Sequence, residues 1–166
     1  MGKPEVWLRG PVDGVPALLQ PVAHSLLQSR EEVEALLDSL TADDIWRTRA
    51  DCAPVGFHIR HALGSLDRLF AYARGAALSD AQLQILKGES EPDPDLTADE
   101  LIVGFAAVVE RSLEQLRSTD PSTLTDARVV GRARMPSTVG GLLFHAAEHT
   151  QRHVGQAVTA RKLLAP

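Results

Sequence analysis

The chain has 166 residues, 44% apolar and 23% charged, which is enough for the core of one domain and too little for two independent ones. This composition excludes a disordered, collagen-like or disulfide-built protein. The 17 basic and 22 acidic side chains give a formal charge of −5, which opposes the phosphate attraction on which nucleic-acid binding rests. We therefore expect one soluble domain over residues 1–166, without a nucleic-acid partner.

The first ten residues, MGKPEVWLRG, lack the apolar core of a signal peptide, and no window approaches the 18 apolar residues of a membrane span. These features predict a cytoplasmic protein with no membrane partner. The single cysteine, Cys52, cannot form an internal disulfide, and we interpret it as a small buried apolar residue.

Four stretches repeat apolar residues at helical spacing, and none alternates at period two for more than a few positions. This pattern predicts an all-α bundle. An irregular arm rich in proline and glycine, residues 1–17, precedes the first helix. The long helices are predicted at about residues 18–40, 54–75, 97–117 and 137–164.

Shorter features connect these helices. The linker of residues 89–96 contains two prolines and is expected to be solvated. Residues 118–136 sustain no period, and we expect a strap over the bundle with an extended segment at Val129 and Val130. Capping signals mark the starts of two short elements and of the last two long helices: Thr41 with Asp44, Ser79 with Gln82, Thr97 with Glu100, and Ser137.

Histidines carry the distinctive chemistry of the chain. In the last predicted helix, His149 and His153 take positions that the spacing otherwise gives to apolar residues facing the bundle interior. At i and i+4 they share one face and can offer two imidazole nitrogens to one metal ion. Burying an unpaired polar group costs about 1 to 3 kcal/mol, and coordination removes that cost. One such histidine is usually a hydrogen-bonded core residue, but two at this spacing favour a metal site.

A third ligand must come from another helix, and the second long helix supplies His58 and His61. On the helical wheel His58 lies nearer the apolar face and His61 on the flank, so the pattern slightly favours His58 and leaves both open. His145 lies at the edge of the stripe in the last helix. His24 lies opposite the apolar stripe of the first helix, and we expect it to be exposed to solvent.

Three neutral histidines around one ion leave a position for water or substrate, which is typical of catalytic rather than structural zinc. Water bound there becomes more acidic, and a carbonyl or thiol can be polarised instead. Imidazole also suits nickel, copper or iron. The zincin signature HExxH is absent because Glu148 directly precedes His149 in HAAEHTQRH, and no nucleotide-binding glycine loop or GxSxG elbow occurs.

Two segments, VGFHIRHALGSLDRL at residues 55–69 and STVGGLLFHAAEHTQRHVGQ at residues 137–156, resemble the DinB/YfiT-like superfamily of metal-binding four-helix bundles. The likeness covers most of the chain. It implies an up-down-down-up bundle with short connecting helices, often dimeric, that binds a divalent zinc- or nickel-like ion. Carried over position by position, it implies His61, rather than His58, as the ligand beside His149 and His153.

The resemblance implies a metal-dependent hydrolase, or a transferase or isomerase that uses a low-molecular-weight thiol, acting on a small-molecule substrate. His58, His145 and Glu148 are then candidates for moving protons. One alternative is a non-catalytic metal-binding module of a stress response. Another is a bundle whose histidines are only hydrogen-bonded and bind no metal. The resemblance also implies a homodimer.

Overall fold

The computed structural model describes residues 2–38 and 40–164, so that Met1, Ser39, Ala165 and Pro166 lie outside the described part. Within this part the chain forms six α-helices, one small sheet and three short 3-10 turns, at Val6–Arg9, Ala17–Leu19 and Pro121–Thr123. The helices are α1 Gln20–Leu37, α2 Ala42–Trp46, α3 Val55–Ala73, α4 Asp80–Gly88, α5 Ala98–Ser118 and α6 Val139–Leu164. The four long helices begin and end within three residues of their predicted positions.

The long helices build the core through their apolar faces. Helix α3 packs against α5 and α6, and α1 packs against the same two helices. Apolar residues recur on each face every three to four positions, so the packed side of each helix is removed from water. Fully burying one such side chain contributes about 1.5 to 3 kcal/mol. The largest fully buried side chains include Leu26, Ile59, Leu66, Phe105, Leu113 and Leu143. None of the helices in the described ranges is both long and apolar enough to cross a bilayer.

Side-chain caps fix where several helices start. Helices α2, α4 and α5 begin with the predicted capping boxes, in which the cap hydroxyl and the third residue satisfy each other's backbone N–H groups. At α6 the hydroxyl of Thr138, rather than that of the predicted Ser137, accepts the N–H of Gly141 at 3.0 Å. Gly140, the second residue of α6, is also tightly placed, because a Cβ at this position would lie 3.1 Å from the carbonyl oxygen of Leu124.

A β-hairpin adds an element that the all-α prediction did not contain. Strands β1 Ala127–Val130 and β2 Met135–Thr138 pair antiparallel, and the hairpin packs against α3 and α6. The connecting turn uses left-handed backbone at Gly131, with φ of 65°, and at Arg134, with φ of 50°. The predicted extended segment is therefore present, and its strand partner lies just before α6.

The N-terminal arm folds back onto α1. The guanidinium of Arg9 donates to both carboxylate oxygens of Glu31 at 2.6 and 2.8 Å, and Lys3 contacts the same carboxylate at 2.8 Å. A ring nitrogen of His24 lies 3.0 Å from the carbonyl oxygen of Gly10. His24 is therefore partly buried, and the prediction of an exposed side chain was wrong because the arm covers that face of α1.

Cys52 is exposed, so the prediction that it is buried was wrong. It lies in the loop between α2 and α3, where Ala50 and Asp51 both have positive φ. The apolar positions on either side of this loop, Ile45 and Val55, are fully buried, and the chain between them passes over the surface.

Candidate metal centre

Two packed helices bring the predicted histidines together. His61 lies on α3, and His149 and His153 lie one turn apart on α6. One ligand nitrogen from each of these three residues lies within 4.8 Å of the other two. Such a group is compact enough to hold one metal ion.

The three rings face one another closely. His61 Nε2 lies 3.0 Å from His149 Nε2. The ring centroid of His153 is 4.5 Å from that of His61 and 4.6 Å from that of His149. Phe57 stacks on His61 at 5.6 Å with an interplanar angle of 18°, which shields one face of that imidazole from water.

The histidines of α6 lie at the margin of its buried stripe, whereas the sequence predicted that they face the interior. The fully buried neighbours are Thr150 and Val154, one position further along, while His149 and His153 are only partly buried. Helix α6 packs against both α1 and α3, so its buried surface is wider than one stripe. The marginal position leaves one side of the cluster open for a ligand.

Glu89 completes this site, and the sequence analysis missed it. The carboxylate follows α4 and is only 2% exposed, so the prediction of a solvated linker was wrong at its first residue. Its Oε2 accepts a hydrogen bond from His61 Nδ1 at 2.8 Å, and its two oxygens also pair with the buried guanidinium of Arg68. The sequence signal was only an acid directly after a helix-ending glycine.

The hydrogen bond to Glu89 sets the tautomer of the neutral His61 ring. A carboxylate can only accept at this position, so Nδ1 carries the proton and Nε2 keeps its lone pair. Gly64 makes room for the arrangement, because a Cβ there would overlap the carboxylate of Glu89 and lie 2.8 Å from the guanidinium of Arg68. Gly64, the glycine of the HALGSLDRL segment, thus leaves the space in which Glu89 orients His61.

Burial keeps the α6 imidazoles uncharged. Loss of hydration lowers the pKa of His149 and of His153, and the neighbouring His61 lowers both further, to about 4 for His153. Burial raises the pKa of Glu89, but hydrogen bonds from His61 and Arg68 outweigh it and leave that pKa below its usual value. At neutral pH His149 and His153 are therefore neutral imidazoles near the ionised carboxylate of Glu89, and a neutral imidazole is the form that binds a metal.

The residues present fit a divalent ion. His149 Nδ1 is buried and has no hydrogen-bond partner within the described ranges. Burying an unpaired ring nitrogen costs free energy, and binding of a ligand by this imidazole would offset that cost. Three imidazoles with one ring oriented by a carboxylate form a donor set typical of zinc, nickel and related ions.

The remaining predicted residues surround the cluster. His58 is 8% exposed, and its Nδ1 lies 3.2 Å from His153 Nδ1. The pKa of His58 is lowered by burial and by the nearby His61. His145 is exposed, its Nδ1 lies 3.0 Å from Glu148 Oε1, and its ring lies 5.3 Å from that of His149.

Comparison with known proteins identifies a family and solved structures with a similar fold. A family model described as the DinB superfamily matches residues 25–157, which include every residue of the cluster. A crystal structure of a conserved protein from Enterococcus faecalis superposes with a TM-score of 0.67 and 21% identity, covering 87% of this chain and 95% of that chain. At this identity the second match concerns the fold alone. No match is found among curated proteins.

Proposed function

The chain belongs to the DinB superfamily, and on this basis we propose that it is a metal-dependent enzyme acting on a small molecule through His61, His149 and His153. The observation that carries the proposal is the convergence of the three imidazoles, with ligand atoms within 4.8 Å of one another. We propose hydrolysis, or transfer of a low-molecular-weight thiol, as the reaction class, with zinc or nickel as the ion.

The proposal includes an up-down-down-up arrangement of the four long helices. Contacts between helix pairs support it. Residue numbers increase in the same direction along α1 and α6, and along α3 and α5, so each of these pairs is parallel. They increase in opposite directions along α3 and α6, so that pair is antiparallel. The contacts are Ser25 with Ala147 and Ala35 with Arg161, then Asp67 with Arg111 and Phe70 with Gln115, then His58 with His153 and His61 with His149.

A bound divalent ion supplies Lewis acidity, which lowers the pKa of a coordinated water or thiol. The protein's residues supply the rest. Glu89 holds the proton of His61 on Nδ1, so that the lone pair of Nε2 is available to bind the ion. His58 lies against His153 and positions it. His145 is exposed beside His149 and is held by Glu148, so we assign proton transfer to and from substrate to His145.

Elemental analysis tests the metal site directly. The untagged protein is purified without added metal, beside His149→Ala and, as a matched control outside the cluster, His24→Ala. We expect about one ion per chain in the parent and in His24→Ala, and little in His149→Ala. Circular dichroism checks that each variant folds. A metal content no higher than background in the parent, even after incubation with zinc and with nickel, would contradict the site.

Activity assays then separate an enzyme from a binding module. The metal-loaded protein is given small electrophiles with a free thiol, and small esters and amides without one. Consumption of thiol or ester that stops on chelation and returns with one metal supports the enzyme. Stoichiometric metal with no turnover across the panel would instead favour the non-catalytic module.

The homodimer and the cytoplasmic location remain predictions from the sequence. Analytical ultracentrifugation at micromolar concentration tests the homodimer. A sedimenting mass of two chains supports it, and a mass of one chain contradicts it.

A further inference from the structure

A cavity lies away from the histidine cluster, at the other end of α3. Its volume is about 720 Å³, within the range of small-molecule sites, and it lies between the end of α3, α4 and the β-hairpin. Tyr72, which lines it, is eleven residues beyond His61, or about 16 Å along the helix axis. None of the residues lining this cavity belongs to the histidine cluster.

The wall of the cavity combines apolar and basic residues. Leu83 and Val129 contribute to the apolar part, with the ring of Tyr72 and the small side chains of the loop after α3. The hairpin contributes Arg128, Arg132 and Arg134, and no acidic residue lines the cavity. A protein of net charge −5 therefore gathers three guanidinium groups, without a carboxylate, at one apolar pocket.

Within the described residues, these arginines lack the carboxylate partner that several arginines elsewhere in the fold have. Six others, Arg9, Arg30, Arg47, Arg68, Arg111 and Arg152, lie within 4 Å of a carboxylate. In the described ranges no such ion pair involves Arg128, Arg132 or Arg134. Arg128 is fixed by donating from Nε to the carbonyl oxygen of Ala73 and from Nη1 to that of Ala127, each at 2.9 Å. Three arginines that line one cavity and form no ion pair with a carboxylate of the described residues favour the binding of an anion there.

We propose that this cavity binds a small molecule with an apolar chain or ring and an anionic head group, either a carboxylate or a phosphate. The apolar part lies against Leu83 and Val129, and the head group accepts hydrogen bonds from Arg132 and Arg134. The inference does not depend on the proposed metal chemistry.

Calorimetric titration of the full chain tests this site with octanoate and octyl phosphate as probes. Octan-1-ol carries the same chain without charge, and acetate and inorganic phosphate carry the head groups without the chain. We expect one of the amphipathic anions to bind one per chain, about tenfold or more tighter than its uncharged and chainless counterparts. The tighter of the two identifies the head group. Equal affinity for octan-1-ol, or no binding of either anion, would overturn the proposal.

Charge-matched variants locate the binding. Arg132→Gln with Arg134→Gln is expected to weaken binding of the tighter probe about tenfold or more, while Lys3→Gln with Lys162→Gln removes two exposed charges elsewhere and leaves the affinity within about twofold. The amide NMR signals of Gly75 and Gly131 should shift, and that of Gly155 should not. Repeating the titration with His149→Ala excludes binding at the metal centre. Unchanged affinity in the arginine variant would contradict the assignment.

Discussion

The carboxylate of Glu89 holds the Nδ1 proton of His61 and is itself balanced by Arg68. Arg68 is only 7% exposed, and Glu89→Ala leaves its guanidinium without a partner. We therefore expect the unfolding free energy to fall by about 3 to 5 kcal/mol. The freed imidazole can take the other tautomer, and zinc affinity should fall about 10- to 100-fold. Urea unfolding and competition with a chelating dye measure the two effects.

A double variant separates orientation from packing at this pair. Arg68→Met with Glu89→Ala replaces a buried ion pair by apolar groups, which is often close to neutral for stability. We expect stability to recover towards that of the parent while zinc affinity stays low, because His61 Nδ1 still lacks its acceptor. Recovery of affinity along with stability would show that the pair only maintains the fold.

Two helix glycines give a matched test of the space beside Glu89. A Cβ at Gly64 meets Glu89 and Arg68, whereas one at Gly155 meets nothing within 4 Å. Alanine in an open helix position stabilises by about 0.5 to 1 kcal/mol relative to glycine, so Gly155→Ala should raise the urea midpoint. Gly64→Ala should lower it and also weaken zinc binding. An increase in both variants would show that Gly64 is not needed for room.

Ion pairs are one part of the attachment between the arm and α1, beside uncharged hydrogen bonds such as that of Val6 with Gln28. Glu31 accepts from Arg9 and Lys3, and these hydrogen bonds lower the pKa of its carboxyl to about 2. Glu31→Gln should loosen the arm, so that trypsin cleaves after Arg9 several-fold faster while the helical content is unchanged. Glu34→Gln, which alters a longer contact of 3.8 Å to Arg30, is the control. Equal cleavage rates in the two variants would assign the arm's attachment to other contacts.

Long elements with capping residues are readable from the sequence, and short ones are not. Thr97 and Glu100 mark the start of α5 because their reciprocal hydrogen bonds are local. The hairpin has four residues per strand, and the sequences ARVV and MPST do not alternate apolar and polar residues, so only its extended character was predictable. Its pairing depends on contacts with α3 and α6, which no local pattern encodes.

The same division applies to the candidate site. The i and i+4 spacing of His149 and His153 shows in the sequence that they share a face, and family resemblance pointed to His61. Glu89 is 28 residues from His61, and its burial arises only when the segment after α4 folds across α3. The wheel ranked His58 first because it is the more buried residue, but depth in the core does not measure access to a ligand.

For the whole molecule, the lowered pKa values of the histidines make the metal-free fold sensitive to acid. His153 has a folded pKa of about 4, below its ordinary value of 6.5, so between these values the unfolded chain binds a proton that the folded chain does not. The unfolding free energy should therefore fall as pH drops from 6.5 to 4, with His149 and His58 acting in the same direction. Urea midpoints measured across this range in a chelator should fall less steeply in His153→Gln.

Metal binding should reverse this weakness, because an ion that binds only the folded chain stabilises it by mass action. At a free zinc concentration one hundredfold above the Kd, the unfolding free energy should rise by about 2.7 kcal/mol at pH 7.5. The gain should shrink towards pH 5, since protons compete for the same imidazole nitrogens. His149→Ala should show no gain at either pH, whereas His24→Ala should respond like the parent. A gain that persists in His149→Ala would place the stabilising ion outside the three-histidine cluster.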